Sequence, residues 1–467
     1  MSSKLMPWFS RAGLVAAVLA SLSCGDTTSV SPAAVASVTV SPSSPSLVLG
    51  GTQQLTAATL DANGATLTGR TVTWTSSDPT KASVSSTGLV SAVAVGTATI
   101  TATSEGKLGT ATITTTFTFT ALTAGGRHTC GLLSTGAGYC WGYNGVGSLG
   151  DGTVSTRLTP TAVQGALVFT ALTAGDGDQT CGLTAAGAAY CWGDANNGKL
   201  GDGTTTQRLT PVAVQGGLVF TALTAGRSHT CGLTSAGAAY CWGDNAVGEL
   251  GDGTTTQRLA PVAVQGGLTF ASLTAGHFYT CGRTSTGAAY CWGTNGYAEL
   301  GDGTTTQRLV PVAVQGGLVF AGLTAGYQHT CGQTSTGAAY CWGWNGSGQL
   351  GDGTTTQRLS PMAVQGGLVF TVLTAAYQHS CGVTSSGAAY CWGTNGNGEL
   401  GDGTTTFRTS PVAVQGGLVV TTVTAGGSHS CGLTSTGVAY CWGYNQSDQL
   451  GDGTTINRLA PVAVVHP

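Results

Sequence analysis

The stretch HTCGLTSAGAAYCWG, His229 to Gly243, sets two cysteines ten positions apart around a glycine-containing turn, and the same pairing recurs seven times along the chain. The pairs are Cys130 with Cys140, Cys181 with Cys191, Cys231 with Cys241, Cys281 with Cys291, Cys331 with Cys341, Cys381 with Cys391 and Cys431 with Cys441. They repeat every 50 residues, with one step of 51 because GDGDQTC (175–181) is one residue longer than GGRHTC (125–130). A period of this length with about four strand-like runs per copy predicts a ring of β-propeller blades. A solenoid usually has shorter coils and open ends that need caps. In the third copy the runs are PVAV (211–214), FTALTAG (220–226), SHTCGLT (228–234) and AAYCWG (238–243).

Within that copy Ser235-Ala236-Gly237 reads as a three-residue hairpin loop, with glycine where positive φ is required. Pairing symmetric about Ala236 puts Cys231 opposite Cys241, Leu233 opposite Ala239 and Tyr240 opposite Gly232. Directly opposed antiparallel residues have Cα atoms about 4.5–5.5 Å apart, within reach of a disulfide. Closing a loop of about eleven residues is worth roughly 2–3 kcal/mol on the chain-entropy estimate. Such staples would offset the thin core of blades built from small apolar side chains. Zinc sites favour closer Cys-x-x-Cys spacing, so neither a metal nor another cofactor is expected. Ring closure also has a signal. The first copy opens at FTFTALTAG without a preceding PVAV, and a spare PVAV, Pro461 to Val464, ends the chain. The expectation is that it supplies the outermost or innermost strand of the first blade and latches the ring.

The fifteenth cysteine, Cys24, closes a different motif. Lys4 and Arg11 precede an apolar run, Ala12 to Leu22, short for a bilayer span. The following SLSCG, Ser21 to Gly25, resembles a bacterial lipoprotein signal, although Ser21 stands where such signals usually carry leucine. Residues 1–24 are therefore read as a signal peptide with Cys24 lipidated, and 25–33 as a linker. This implies export and a lipid anchor, periplasmic or at the cell surface, and regular paired cysteines in an exported chain read as disulfides. From 34 to 116 the pattern becomes alternating, as in ASVTVSP (36–42), TVTWTSSDP (71–79) and VGTATITATS (95–104), the mark of a small β-sandwich. The run from Thr71 to Thr103 resembles the bacterial immunoglobulin-like domain, group 2, with Trp74 in its core. The fold class is thus all-β: an immunoglobulin-like sandwich followed by a seven-bladed propeller over 117–467, with one cross-strand disulfide per blade.

The propeller copies carry Gly-x-x-His-Thr-Cys-Gly-Leu, then Gly-x-x-Tyr-Cys-Trp-Gly, then Leu-Gly-Asp-Gly-Thr. This order resembles the regulator of chromosome condensation repeat, a family of seven-bladed propellers, and it covers about 350 residues. The family's founder is a chromatin-bound guanine-nucleotide exchange factor. This chain has a net charge of −3, only 7% charged residues and no basic tail, so no nucleic-acid partner is expected. Propellers of this kind also include protein inhibitors of β-lactamase. The cysteines depart from the pattern of cytosolic members.

Residues that every copy repeats are read as structural. They include His128, His229, His329, His379 and His429, replaced by Gln179 and Tyr279 in two copies. They include Asp151, Asp202, Asp252, Asp302, Asp352, Asp402 and Asp452, each followed six residues on by Arg157, Arg208, Arg258, Arg308, Arg358, Arg408 and Arg458. One carboxylate per loop falls short of a calcium site. The tryptophans after each second cysteine, such as Trp242, are expected between blades.

Functional candidates are the positions that differ between copies, after Ala-Gly and after Cys-Trp-Gly. Alternating strand direction puts both sets on one propeller face and the constant turns on the other. That face would display Tyr143, Phe278, Tyr297, Tyr327, Trp344, Tyr377 and Tyr444, with the acids Asp176, Asp178, Asp194, Asp244, Glu249, Glu299 and Glu399 among them. Aromatic and polar groups together suit a protein or glycan ligand. No nucleophile elbow, phosphate loop or metal-spaced histidine pair is present. A binding protein is therefore the leading expectation. An inhibitor of a secreted or periplasmic enzyme comes second, and a glycan-cleaving enzyme using paired carboxylates third.

Overall fold

The computed structural model describes residues 32–467. The signal-like segment with Lys4, Arg11 and Cys24, and most of the linker, lie outside the described residues. The first domain is a sandwich of short sheets. One sheet orders Ser37–Ser41, Thr56–Leu60 and Thr66–Leu67; a second orders Ser46–Val48, Lys107–Thr116, Gly96–Ser104 and Thr73–Ser76. The alternation in Gly96–Ser104 buries Ala98, Ile100 and Ala102 on one face, where they meet Val38, Val40, Leu55, Val90 and Ile113, with Trp74 against them. Phe117 then carries the chain into the second domain. It meets Phe119 and Tyr139 edge-on and belongs to one apolar cluster that takes in Val48, Leu49 and Val95 of the sandwich and Trp141 and Leu433 of the propeller, so this cluster joins the domains.

Seven four-stranded antiparallel sheets follow, each contiguous in sequence. The third is Phe220–Ala225, His229–Thr234, Ala239–Gly243 and Arg258–Ala263. Its hairpin has the expected register: Cys231 opposes Cys241, Leu233 opposes Ala239, and Gly232 opposes Tyr240. Gly237 has φ of 77° and its amide donates to the Thr234 carbonyl. All seven disulfides form. Cys130 is bonded to Cys140, Cys181 to Cys191, Cys231 to Cys241 and Cys281 to Cys291. Cys331 is bonded to Cys341, Cys381 to Cys391 and Cys431 to Cys441. Their Cα atoms are 4.0–4.1 Å apart, closer than the spacing of about 4.5–5.5 Å expected for opposed residues. The first strand of each blade is innermost. Ala124, Ala174, Ala225, Ala275, Ala325, Ala375 and Ala425 from these strands line the central channel, and only small side chains let seven strands approach so closely.

Each seam between blades repeats one hydrogen-bonded unit. In the first seam, Thr180 Oγ1 and Trp192 Nε1 of the second blade both donate to the Ser148 carbonyl of the first, at 2.8 and 3.0 Å. His128 Nε2 of the first blade lies 2.8 Å from the same Thr180 hydroxyl. The tryptophans are wholly buried, each pressed against a positive-φ glycine of the preceding blade, as Trp192 is against Gly150. The tryptophans thus sit between blades, as expected, and the histidines, read from sequence as structural, prove to bridge the same seams. Gln179 and Tyr279 bridge differently: Gln179 Nε2 donates to Gly226 O, and the Tyr279 hydroxyl donates to His329 O.

The expected latch does not exist. The first blade has its own outer strand, Arg157–Ala162, and Arg258–Ala263 likewise follows, not precedes, the hairpin that holds Cys231 and Cys241. Pro461 lies in the outer strand of the seventh blade, where Val462 pairs with Cys441. The copy therefore begins at the inner strand, and no strand is exchanged across the closure. The last seam closes with the bonds every other seam uses: Trp141 Nε1 and Thr129 Oγ1 donate to Gln449 O.

Candidate functional site

Strand alternation brings the two variable loops of each blade together on one face. The loop after the third strand donates one amide to the loop after the first: Tyr143 to Arg127 O, Asp244 to Ser228 O, Thr294 to Phe278 O and Trp344 to Gln328 O. The Gly-Asp-Gly-Thr segment anchors this platform from beneath. Asp151 Oδ1 accepts from the Thr153 amide and hydroxyl and from Asn144 Nδ2, while Oδ2 takes Arg157 Nε at 2.8 Å. Burial opposes ionisation of Asp151, but the bonds from Thr153, Arg157 and Asn144 hold its pKa below the usual carboxylate value. The equivalent arginine pairs with the equivalent aspartate in every blade, within the loop and not between blades. Asn144 and its counterparts were not singled out from sequence, although Trp-Gly-x-Asn recurs in six of the seven copies. The second blade has Ala195 instead.

Three of the proposed ligand-facing acids are not on the surface. Glu249, Glu299 and Glu399 are buried. Each carboxylate accepts the backbone amide two residues earlier, from Val247, Tyr297 and Asn397. Gln349 and Gln449 do the same for Ser347 and Ser447. In these five copies the side chain closes its own turn, so the change between Glu and Gln there does not mark a contact surface; Lys199 instead reaches Asp194 and the Gly177 carbonyl. Burial raises the pKa of both Glu249 and Glu299 to about 7.

The aromatic candidates fall into separate groups. Tyr327 and Tyr377 stack with ring centroids 4.1 Å apart, and the His277 ring packs edge-on with its centroid 4.1 Å from that of Tyr327 and 4.2 Å from that of Phe278. These groups stand at the channel mouth, where Asp176, His277, Tyr327 and Tyr377 line a cavity of about 170 Å³. Tyr297, 39% exposed, meets Trp344 edge-on at 5.1 Å. The Arg127 guanidinium lies 3.6 Å over the Tyr143 ring. Tyr444 donates to Gln446.

Beside the channel mouth a cleft of about 480 Å³ is lined by Arg127, Asp176, Asp178, Asp194, Lys199, Arg227 and Tyr377 among others. Arg127 is paired with Asp178. Lys199 is buried, bonding Asp194 at 2.6 Å and the Gly177 carbonyl at 2.7 Å. Asp244 faces a loop neighbour, accepting from Asn197 Nδ2. Burial pushes the Asp176 pKa up to about 6, aided by Asp178, and burial with the nearby Arg227 lowers that of His277 to about 3. Sequence reasoning named the acids of this cleft, but it counted Arg127, Lys199, Arg227 and His277 only among the variable loop positions and gave them no role. Three of these four are cations outside the repeated Asp–Arg pairs, and that exception was the signal. Among the described residues no group of three or more His, Cys, Asp or Glu side chains converges as a metal site.

These elements define a disulfide-stapled, seven-bladed propeller whose repeat-variable loops share one face. The chain belongs to the RCC1-like domain family, which matches residues 103–430. A regulator of chromosome condensation (RCC1) repeat matches 420–449, and a bacterial Ig-like domain (group 2) matches 34–115. The human E3 ubiquitin-protein ligase HERC2 is 36% identical over 85 residues, 18% of this chain and 2% of that protein. The ultraviolet-B receptor UVR8 of Arabidopsis thaliana is 32% identical over 113 residues, 23% of this chain and 26% of that protein. The chain thus spans only a small part of these curated relatives. Human WBSCR16 shares the fold at 18% identity, with a TM-score of 0.64 over 70% of this chain and 94% of that one. Yeast RCC1 (Prp20), solved bound to Kap60, does so at 20% identity, with a TM-score of 0.63 over 70% and 83%.

Proposed function

We propose that this chain is an exported, lipid-anchored binding protein whose sandwich holds the propeller off a membrane and whose variable face docks a protein partner. The observation that carries the reading is the segregation of variation. The two loops that differ between copies lie on one face and are hydrogen-bonded to each other within each blade, while the constant hairpin turns and Gln-Gly connections lie on the other. Aromatic side chains in separate clusters across such a face are the residues that dominate protein interfaces. The same fold occurs in a yeast RCC1 solved with a protein partner. Export is supported by the leader pattern and by seven bridges that need an oxidising compartment.

The test compares three forms of the exported protein in cross-linking pull-downs from its own compartment. The variant Tyr297→Ala/Trp344→Ala/Tyr377→Ala should lose the captured partner. The variant Val219→Ser/Val319→Ser/Val419→Ser, on the constant face, should keep it. The opposite pattern, or recovery of glycans with no protein, would overturn the reading. Cys24→Ser should move the protein out of the detergent phase while leaving the propeller folded.

A further inference from the structure

The cleft beside the channel mouth holds more charge than its own pairs use. Outside the sandwich and the leader, the only cations beyond the repeated Asp–Arg pairs are Arg127, Lys199, Arg227 and Arg283. Three of these four line this one cleft. Arg127 is committed to Asp178, and Lys199 to Asp194 and two carbonyls. That leaves Arg227, exposed at the cleft wall, and Asp176, which borders both the cleft and the channel. Among the described residues Arg227 makes no ion pair, and the Asp176 carboxylate accepts no hydrogen bond.

A third group is equally bare. His277 is 5% exposed and lines the channel, yet its Nε2 has no hydrogen-bond partner and stands 3.8 Å from Asp176 Oδ2. A polar atom this deeply buried normally has a partner. The arrangement is built rather than incidental. The extra residue of the second copy forms the Asp176-Gly177-Asp178 loop, which packs so closely on the next blade that a Cβ at Gly177 would come 1.8 Å from Arg227 O.

Three acids, Asp176, Asp178 and Asp194, face three bases, Arg127, Lys199 and Arg227. The cleft therefore has no net preference for an anion or a cation. Its two uncommitted charges are of opposite sign. We propose that this cleft, at its border with the channel mouth where Asp176 and Tyr377 line both, binds a small dipolar molecule of the α-amino-acid class, its carboxylate on Arg227, its ammonium on Asp176 and the channel-side His277, and its apolar side chain against Tyr377. A guanidinium matches a carboxylate with two parallel hydrogen bonds. The ammonium supplies the donors that Asp176 and the His277 nitrogen lack. The Tyr377 ring, held in place by its stack on Tyr327, gives the apolar end a flat wall. The site does not depend on protein docking and can be read without any partner.

The experiment is calorimetric titration of the full chain with L-phenylalanine and L-leucine, alongside phenylpropionate and phenethylamine, which carry only one of the two charges. An amino acid should bind, and each single-charge analogue should bind about tenfold more weakly or worse, as loss of a charge-assisted contact implies. Asp176→Asn and Arg227→Ala should each cause a similar loss, with the circular dichroism and disulfide content of the protein unchanged. No binding of either amino acid at millimolar concentration would overturn the proposal. Equal binding of the single-charge analogues, or full binding by both variants, would do the same.

Discussion

Thr129 of the first blade and His429 of the last meet 2.7 Å apart, hydroxyl oxygen to imidazole Nε2, across 300 residues of sequence. The Thr129 hydroxyl spends its single proton on the Gln449 carbonyl, so it must accept from the histidine. His429 is therefore the Nε2–H tautomer, and its Nδ1 is left with no partner. The same logic applies to His128, His229, His329 and His379, whose hydroxyl partners also donate to a backbone carbonyl. The closing seam is chemically the same as the four other seams that carry a histidine.

Because no strand crosses that seam, removing the last strand should damage only the last blade. Truncation after Asn457 deletes Arg458–Ala463, which pairs with Ala439–Gly443 of the seventh blade. Hydrogen exchange should accelerate in Ala439–Gly443 and leave the amides of the first blade protected. Loss of protection in Phe119–Ala124 or His128–Leu133 would mean that the terminal strand does hold the ring shut.

Protonating the seam histidines would place a proton on Nδ1, where nothing accepts it. Burial accordingly lowers the pKa of His128 and His379 to about 4, and of His229, His329 and His429 to about 3. In an unfolded chain these groups titrate near the ordinary value of about 6.5. The unfolded state thus binds more protons below that point, and stability should fall steadily from about pH 6.5 toward pH 4. The urea midpoint measured across this range checks it. His229→Gln combined with His329→Gln, which copies the residue that the second blade carries as Gln179, should make the decline shallower.

Much of this architecture was legible in the sequence because it is local. The Cys231–Cys241 register follows from one hairpin and one glycine, and the two-faced layout follows from strand alternation alone. Where one copy ends and the next begins was not legible. A cyclic repeat has no marked origin, so the PVAV run could be assigned to either neighbouring blade until pairing fixed it. Glu249 was misjudged for a related reason: variation between copies looks the same whether a side chain faces solvent or folds back on its own turn. The Asp176–His277–Arg227 group joins three different blades, and only the ring geometry brings it together.

Each disulfide ties the two middle strands of one blade. Replacing Cys281 and Cys291 together by serine should lower stability by about 2–3 kcal/mol, the loop-closure value for this separation. The effect should concentrate in the fourth blade, because a propeller blade touches only its neighbours. Local hydrogen exchange in Tyr279–Thr284 should rise more than in the first or seventh blade. A uniform rise around the ring would show that the bridges act globally.

The buried glutamates oppose the histidines in their pH dependence. Burial raises the pKa of Glu249 and Glu299 to about 7, above their ordinary value of 4.5. A group raised in this way contributes its stability fully below its unfolded pKa and loses it as pH rises through the folded one. Glu249→Gln should therefore change little at pH 5 and stabilise the protein by about 1–3 kcal/mol at pH 8, where the parent must bury a charge or take up a proton. Gln349 and Gln449 already occupy this position and bond the same backbone amide, so the turn itself should survive. Thermal unfolding of the parent and of Glu249→Gln at both pH values decides it. An equal shift at pH 5 and pH 8 would mean that packing, not ionisation, separates the two side chains.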